Sequence, residues 1–378
     1  MRRFLIGFFF FLFFITPVFA FDFWGGSGYD ICCLLPLNGE NEKLGESVLK
    51  GLLLGLDVLK TSSFSVCVYD SGGISEIALQ ALKNMERQNC DILIALLGKN
   101  TAQPVISSAY RIGLPVIALT AESNILKGKG FIYRDFITPQ IQIENLLDSV
   151  MRKLNYTSFA VFYPEDQYGE QYLKLFITGV RKRGGSVIKV IPYPPKTTDF
   201  AIQIKSLLGK EIVKEKPEKT LKTPTHFPFD AIFIPDNALT SAFIISQFAY
   251  YNAKNLVFLG TALWDDPEFA KMIKGYCRAA YFPTGFTLQA KQPWVRQFIN
   301  DFRKNYHVFP DYLSAQGYEV GRILLYLNSL NRLPLKNIHE IIQNFPGPTG
   351  LTSFLPNGEV VKKIYIMEIK HGKCFIMP

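Results

Sequence analysis

Short apolar runs alternate with longer segments of helical periodicity along the amino-terminal part of the chain. The apolar runs are 29–36, 65–69, 91–97 and 115–119, and the helical patterns between them are 42–60, 74–88 and 101–112. Fully apolar runs of four to eight residues between helices are typical of parallel strands that are covered on both faces. The pattern therefore predicts a doubly wound α/β sheet.

The same alternation restarts after residue 139. It predicts helices at 139–154, 168–184, 198–208 and 239–252, and strands at 159–163, 186–192, 231–235 and 256–260. Two successive units of similar size indicate an α/β protein with two doubly wound, Rossmann-like lobes. Residues 210–227 are dense in charge and Pro without periodicity, which favours a solvated surface excursion over an interaction arm.

The amino terminus has the three parts of a secretory signal peptide. Arg2 and Arg3 precede an apolar core at 4–15, and Val18-Phe19-Ala20 supplies small residues for cleavage. A membrane anchor is the alternative, but the core is shorter than the roughly 20 residues that span a bilayer. Residues 1–20 are therefore predicted to be removed, with export to the periplasm. The first cysteine, Cys32, lies too far from Ala20 for a lipid anchor.

Six cysteines would allow disulfides in an oxidising compartment, but they are too few to hold so large a chain together. Cys32 and Cys33 lie inside an apolar run, and the sequence predicts that both are buried as small apolar residues. No C-x-x-C motif is present, which excludes a zinc ribbon and a thioredoxin-like site.

Motifs for catalysis are absent from the sequence. The four histidines are widely separated, and neither a G-x-S-x-G turn nor a phosphate-binding P-loop motif occurs. The net charge of +9 is spread among interleaved acidic residues, which does not indicate nucleic-acid binding. The sequence therefore predicts a binding protein that is not an enzyme, with no metal and no cofactor.

Four segments resemble successive landmarks of one family: 36–57 (PLNGENEKLGESVLKGLLLGLD), 164–176 (PEDQYGEQYLKLF), 313–325 and 347–373. The family is that of the type I periplasmic solute-binding proteins, the leucine/isoleucine/valine-binding kind that serve ABC transporters. The resemblance implies two lobes that close over a ligand, joined by crossings near 136–140, 281–286 and 345–350. Lobe 1 would comprise 28–138 and 284–345, and lobe 2 would comprise 139–283 and 346–378.

Ligands of open α/β sheets bind at the carboxyl ends of the strands, where helix amino termini present N–H groups. The positions there, together with the family resemblance, give these candidate ligand-binding residues: Lys99, Asn100, Thr101, Thr120, Ala121, Glu122, Tyr168, Asp236, Asn237, Thr261 and Trp264. In the amino-acid-binding members, the loops matching 99–101 and 120–122 hold the ligand's carboxylate and ammonium. Tyr168 matches a ligand-contacting tyrosine in a D-x-Y-G element.

Three positions depart from the family pattern. Lys99 stands where a serine is expected, Glu122 stands where an ammonium-binding threonine is expected, and an acidic residue is missing near Ala262. Lys99 and Glu122 can each pair with an oppositely charged ligand group in a water-poor cleft. They can equally pair with each other at the cleft rim, so leucine specificity does not carry over.

Two functions remain open on the sequence. The first is a monomeric solute receptor that binds an amino-acid-like small molecule and delivers it to an ABC permease. The second is a regulator of cell-wall synthesis, since 234–237 and 259–267 resemble the activators of penicillin-binding proteins, which use the same fold to bind a synthase.

Overall fold

The structure is a computed structural model that describes residues 21–23, 28–57, 63–122, 125–126, 130–209, 227–335 and 337–378. The predicted signal peptide lies outside the described residues, as does the predicted excursion except for Phe227. None of the described helices is long and apolar enough to cross a bilayer.

The first described sheet has six strands in the order β1-β3-β2-β4-β5-β6, and only β1 runs antiparallel. Its strands are β1 (Phe21–Phe23), β2 (Tyr29–Leu35), β3 (Phe64–Asp70), β4 (Ile92–Leu96), β5 (Val116–Leu119) and β6 (Ile132–Arg134). The helices α1 (Glu42–Gly55), α2 (Ser75–Arg87) and α3 (Lys99–Arg111) follow β2, β3 and β4. The predicted alternation is therefore confirmed, although α3 begins two residues earlier than predicted.

The second sheet begins after α4 (Pro139–Lys153). Its parallel strands are β7 (Ser158–Pro164), β8 (Ser186–Tyr193), β9 (Ala231–Phe233), β10 (Val257–Leu259) and β11 (Ala279–Thr284). The helices among them are α5 (Gln167–Lys182), α6 (Ala201–Leu208), α7 (Ala238–Tyr250) and α8 (Phe269–Met272). The predicted fold class, two doubly wound α/β lobes, is confirmed.

The carboxyl-terminal part of the chain completes both lobes. It contains α9 (Pro293–Tyr306), α10 (Tyr312–Ser329) and a small antiparallel sheet of β12 (Phe345–Gly347), β13 (Gly350–Phe354) and β14 (Val360–Lys363). The last strands, β15 (Tyr365–Lys370) and β16 (Lys373–Ile376), extend the second sheet from the edge of β11.

The chain passes between the two sheets after β6, after β11 and after β14. The third passage follows Lys363, whereas the sequence predicted it near 345–350. The reason is that Phe354 and Val360 of the small sheet pack in the core of the first sheet before the chain leaves it.

Helices α1 and α10 pack along each other at close range in the core beneath the first sheet. A Cβ added at Gly51 would overlap the backbone carbonyl of Ser314, and one added at Gly317 would overlap that of Val48. Glycine is required at these positions because the backbones of α1 and α10 touch there. The amino terminus of α10 lies at the junction of the lobes.

Cys32 is buried as predicted, but its interpretation as an unpaired apolar residue is wrong, because it forms a disulfide with Cys90. Cys90 lies just before β4, which is the neighbour of β2 in the sheet, so the two Cα atoms are 6.1 Å apart. The sequence separation of 58 residues hides this proximity in the sequence. Cys33 faces the opposite side of β2 and is buried as predicted, and its burial raises the pKa of its thiol.

Candidate functional site

A pocket of about 340 Å³ lies where the strands of the first sheet end, beside the junction of the lobes. The ends of β2 and β4 and the first turn of α3 line it, together with Phe136 and Leu313. Phe136 belongs to the first passage between the sheets, and Leu313 lies in the first turn of α10. The pocket is therefore bounded by one lobe and by the hinge that leads to the other.

The amino terminus of α3 forms the polar wall of this pocket. Gly98 is its N-cap residue, and the Thr101 hydroxyl accepts a 3.0 Å hydrogen bond from the Gly98 N–H. Thr101 is thus engaged in capping the helix. Among the described groups, no acceptor is recorded for the backbone N–H groups of Lys99 and Asn100, which suits this helix end to an anion.

Lys99 connects the two lobes. Its ammonium donates a 2.8 Å hydrogen bond to Oε1 of Gln167, the first residue of α5 in the second lobe. Both Lys99 and Glu122 are described, and no ion pair joins them, so the rim pairing that the sequence left open is not formed here. Lys99 is exposed, and its charge faces the opening between the lobes.

The loop at 120–122 is held in place by Arg134 and does not line the pocket. The Thr120 hydroxyl accepts a 3.2 Å hydrogen bond from the Glu122 N–H, and the Arg134 guanidinium donates to the Glu122 carbonyl. The same guanidinium, nearly fully buried, pairs with the carboxylate of Glu359. Ala121 is exposed between these two anchored neighbours.

Tyr168 and Thr261 meet on the second lobe. The Tyr168 hydroxyl and Thr261 Oγ1 are 2.9 Å apart, and the Tyr168 ring lies 4.6 Å from that of Tyr172. Burial raises the pKa of Tyr168, so the phenol stays neutral and available for hydrogen bonding. Tyr168 follows Gln167 directly in α5, but neither Tyr168 nor Thr261 lines the α3 pocket.

Asp236, Asn237 and Trp264 form a separate unit that supports the second lobe. Asp236 accepts a 2.7 Å hydrogen bond from the Tyr193 hydroxyl, and Asn237 caps α7 by accepting one from the Thr240 N–H. The Trp264 indole is fully buried and donates to the Asp236 carbonyl and to Ser241. Its ring therefore lies in the core rather than at the surface of the cleft.

Sequence analysis missed Gln167 and Arg134. Gln167 lies inside the D-x-Y-G element, and its place at the start of a helix after a buried strand was the available signal. Arg134 is the last residue of β6, a three-residue strand that the sequence analysis did not predict. No local pattern reveals its partner, because Glu359 is 225 residues away.

The sequence model of the periplasmic binding protein family matches residues 29–373. The chain belongs to the periplasmic binding protein family. The resemblance found in the sequence is confirmed by this match. No protein with a curated description matches the chain.

Solved structures share the periplasmic binding protein fold at low identity. A proposed branched-chain amino acid ABC transporter from Rhodospirillum rubrum has a TM-score of 0.79 at 18% identity, covering 93% of this chain and 100% of its own. The isoleucine complex of LivJ from Streptococcus pneumoniae has a TM-score of 0.62 at 18% identity, with coverages of 93% and 99%.

A third neighbour widens the range of ligands that the fold accommodates. The solute-binding protein from R. palustris, in complex with benzoate, has a TM-score of 0.60 at 18% identity, covering 93% of this chain and 96% of its own. The family is described as periplasmic binding proteins, and the S. pneumoniae and R. palustris neighbours are described as substrate-binding and solute-binding proteins. Nothing in them favours the alternative, a regulator of cell-wall synthases.

Proposed function

We propose that this periplasmic binding protein is an exported receptor that captures a small polar molecule, an amino acid or a related carboxylate, for an ABC transporter. The observation that carries the proposal is the hydrogen bond of Lys99 to Gln167 across the opening beside the α3 pocket. A cation that reaches between the lobes lies where a ligand carboxylate can replace Gln167 as its partner.

The size and polarity of the pocket support a small carboxylate. A volume of about 340 Å³ is at the lower end of the range for small-molecule sites. The N–H groups at the start of α3 and the Lys99 ammonium together provide hydrogen bonds and positive charge for an anionic group. The neutral Tyr168 hydroxyl offers a further hydrogen bond from the other lobe.

Mass spectrometry of small molecules released from the purified, denatured protein tests this proposal. We expect a compound with at least one carboxylate. Calorimetry with that compound then tests the role of Lys99. Lys99→Met should weaken binding by about 1.5–3 kcal/mol, or roughly 10- to 150-fold in Kd, because the carboxylate loses a charge-assisted hydrogen bond.

Lys83→Met is the matched control, since Lys83 is an exposed lysine on α2 of the same lobe. The Lys83→Met variant should bind the released compound with the same affinity as the wild type. Equal affinity of the Lys99 variant would show that the ligand does not lie against α3. If neither a released compound nor any of the common amino acids and benzoate binds to the wild type, the receptor function itself is contradicted.

Export follows from the predicted cleavage after Ala20. Intact-mass analysis of the protein from the periplasmic fraction of an expressing cell should give a chain that begins at Phe21. A membrane-bound protein that retains Met1 would contradict this expectation.

A further inference from the structure

Helix α10 presents a polar stripe to the junction of the lobes. Tyr312, Gln316 and Glu319 follow each other at intervals of four and three residues, which places them on one face of the helix. Gln316 and Glu319 are fully buried, although polar side chains of this kind are normally exposed. Such a stripe needs partners inside the protein, and the passages between the sheets supply them.

Tyr312 contacts two of these passages. Its hydroxyl accepts a 3.1 Å hydrogen bond from the Ile137 N–H in the first passage and donates a 3.1 Å hydrogen bond to Gln316. The ring packs edge-on against Phe136 at 5.4 Å. A Cβ added at Gly285, at the start of the second passage, would overlap the Tyr312 ring.

Glu319 contacts the strand that leads to the third passage. Its carboxylate pairs with the Lys362 ammonium at 2.6 Å, and that ammonium also lies 2.7 Å from Asp135, at the start of the first passage. All three charged side chains are fully buried. Glu319 further accepts 2.5 Å hydrogen bonds from the hydroxyls of Thr349 and Thr352.

The third passage is also held from the second lobe. Asn145 of α4 donates a 2.9 Å hydrogen bond to the Lys362 carbonyl and accepts one of 3.1 Å from the Ile364 N–H. The backbone of Lys362 is thus bound by lobe 2, while its ammonium is bound by α10 of lobe 1. All three passages therefore converge on one helix.

We propose that α10 is the pivot anchor of this protein: Tyr312 and Glu319, with Lys362 and Asp135, hold the three passages and so set the equilibrium between open and closed lobes from outside the ligand cleft. Hinge motion requires a few residues that absorb the backbone rotation, while the residues beside them stay fixed. Tyr312 fixes the first passage as far as Ile137, so rotation there is confined to the residues that follow. The proposal concerns the lobes of the ligand-free protein, and it rests on the proposed receptor function only for its consequence that the pivot anchor influences ligand affinity.

The test measures the distance between the lobes in the ligand-free protein. Paired labels are attached to azide-bearing residues introduced at the exposed positions Gln103 on α3 and Lys174 on α5. Tyr312→Phe removes one oxygen atom and with it the hydrogen bond of Ile137. We expect its interlobe distance distribution to be broader than that of the wild type, with its mean displaced.

Tyr306→Phe is the matched control. The Tyr306 hydroxyl donates a 2.9 Å hydrogen bond to the Lys50 carbonyl, so the change is chemically the same but touches no passage. Its distance distribution should match that of the wild type even where its thermal stability falls as much as that of Tyr312→Phe. Identical distributions for the two variants would overturn the pivot anchor.

Gly285→Ala provides a second, independent perturbation. Its added methyl group displaces the Tyr312 ring or the second passage, whereas the methyl group of Gly130→Ala meets no atom within 4 Å. Only the Gly285 variant should shift the distance distribution, and an unshifted distribution in a folded Gly285 variant contradicts the proposal. If Gly285→Ala does not fold, the interlobe distance distribution of Tyr312→Phe decides the test. Because all these measurements lack ligand, they stand even if the receptor function fails.

Discussion

Lys362→Met is expected to lower the free energy of unfolding by about 3–5 kcal/mol, the usual cost of removing one partner from a buried ion pair. The variant leaves the carboxylates of Asp135 and Glu319 buried without their only cation among the described residues. The hydrogen bonds from Lys362 to Thr349 and Thr352 are lost as well. Urea unfolding at pH 7 measures the effect.

Lys363→Met is the control for this change. Lys363 is the next residue of β14, but its side chain is exposed, so its removal should change stability by less than about 0.5 kcal/mol. Equal stabilities of the two variants would show that the buried cluster contributes nothing to folding.

The difference in the free energy of unfolding between the wild type and Lys362→Met should depend on pH. Burial raises the pKa of Asp135 from 3.8 to about 6, although Lys362 opposes the rise. Since the pKa is higher in the folded state, the stability contributed by the protonated carboxyl is complete below pH 3.8 and is lost as pH rises through 6. Without Lys362 the pKa rises further, and the loss extends to higher pH. The difference should therefore be smaller at pH 5 than at pH 7.5, and the reverse order would contradict this assignment.

Cys90→Ala should lower the free energy of unfolding by about 4 kcal/mol, because the disulfide closes a loop with a sequence separation of 58 residues in the unfolded chain. Chemical denaturation of oxidised protein measures the effect. The variant leaves Cys32 buried in the core as a thiol, so the packing of β2 is preserved.

Two comparisons control the disulfide prediction. Cys374→Ala removes a half-buried thiol that belongs to no disulfide and should have a small effect. Wild type treated with a reductant should unfold at the same denaturant concentration as Cys90→Ala treated in the same way. A Cys90 variant as stable as the oxidised wild type would show that the cross-link does not constrain the unfolded chain.

The sequence predicts the two sheets well because the central parallel strands are buried on both faces and are therefore largely apolar. The edge strand β8 differs, since its alternate residues are exposed. The strand at 92–96 and the strand at 116–119 show no polar residue, and their flanking helices have clear amphipathic periods. The start of α3 was predicted too late, since Lys99 and Asn100 resemble loop residues. Their helical conformation follows from the capping of Gly98 by Thr101.

The buried ionic cluster could not be predicted in the same way. Lys362 and Lys363 are adjacent and chemically identical, and only the register of β14 decides which one points inward. That register is set by Val360, whose side chain enters the core of the first lobe. Glu319 and Asp135 lie in segments 184 residues apart in sequence, so a local reading leaves each of them as a surface acid.

Neither lobe is made from one continuous stretch of chain, and this constrains the order in which the molecule can fold. A chain that ends at Thr284 lacks α10, so the apolar face of α1 stays uncovered, and it lacks β15, so β11 remains an open edge. Open edges and uncovered apolar faces promote aggregation. Contacts between α1 and α10 span more than 250 residues, and such long-range closure is slow. Both lobes are therefore completed only after residues 312–376 have been synthesised, so neither lobe can finish folding while the chain is still being made.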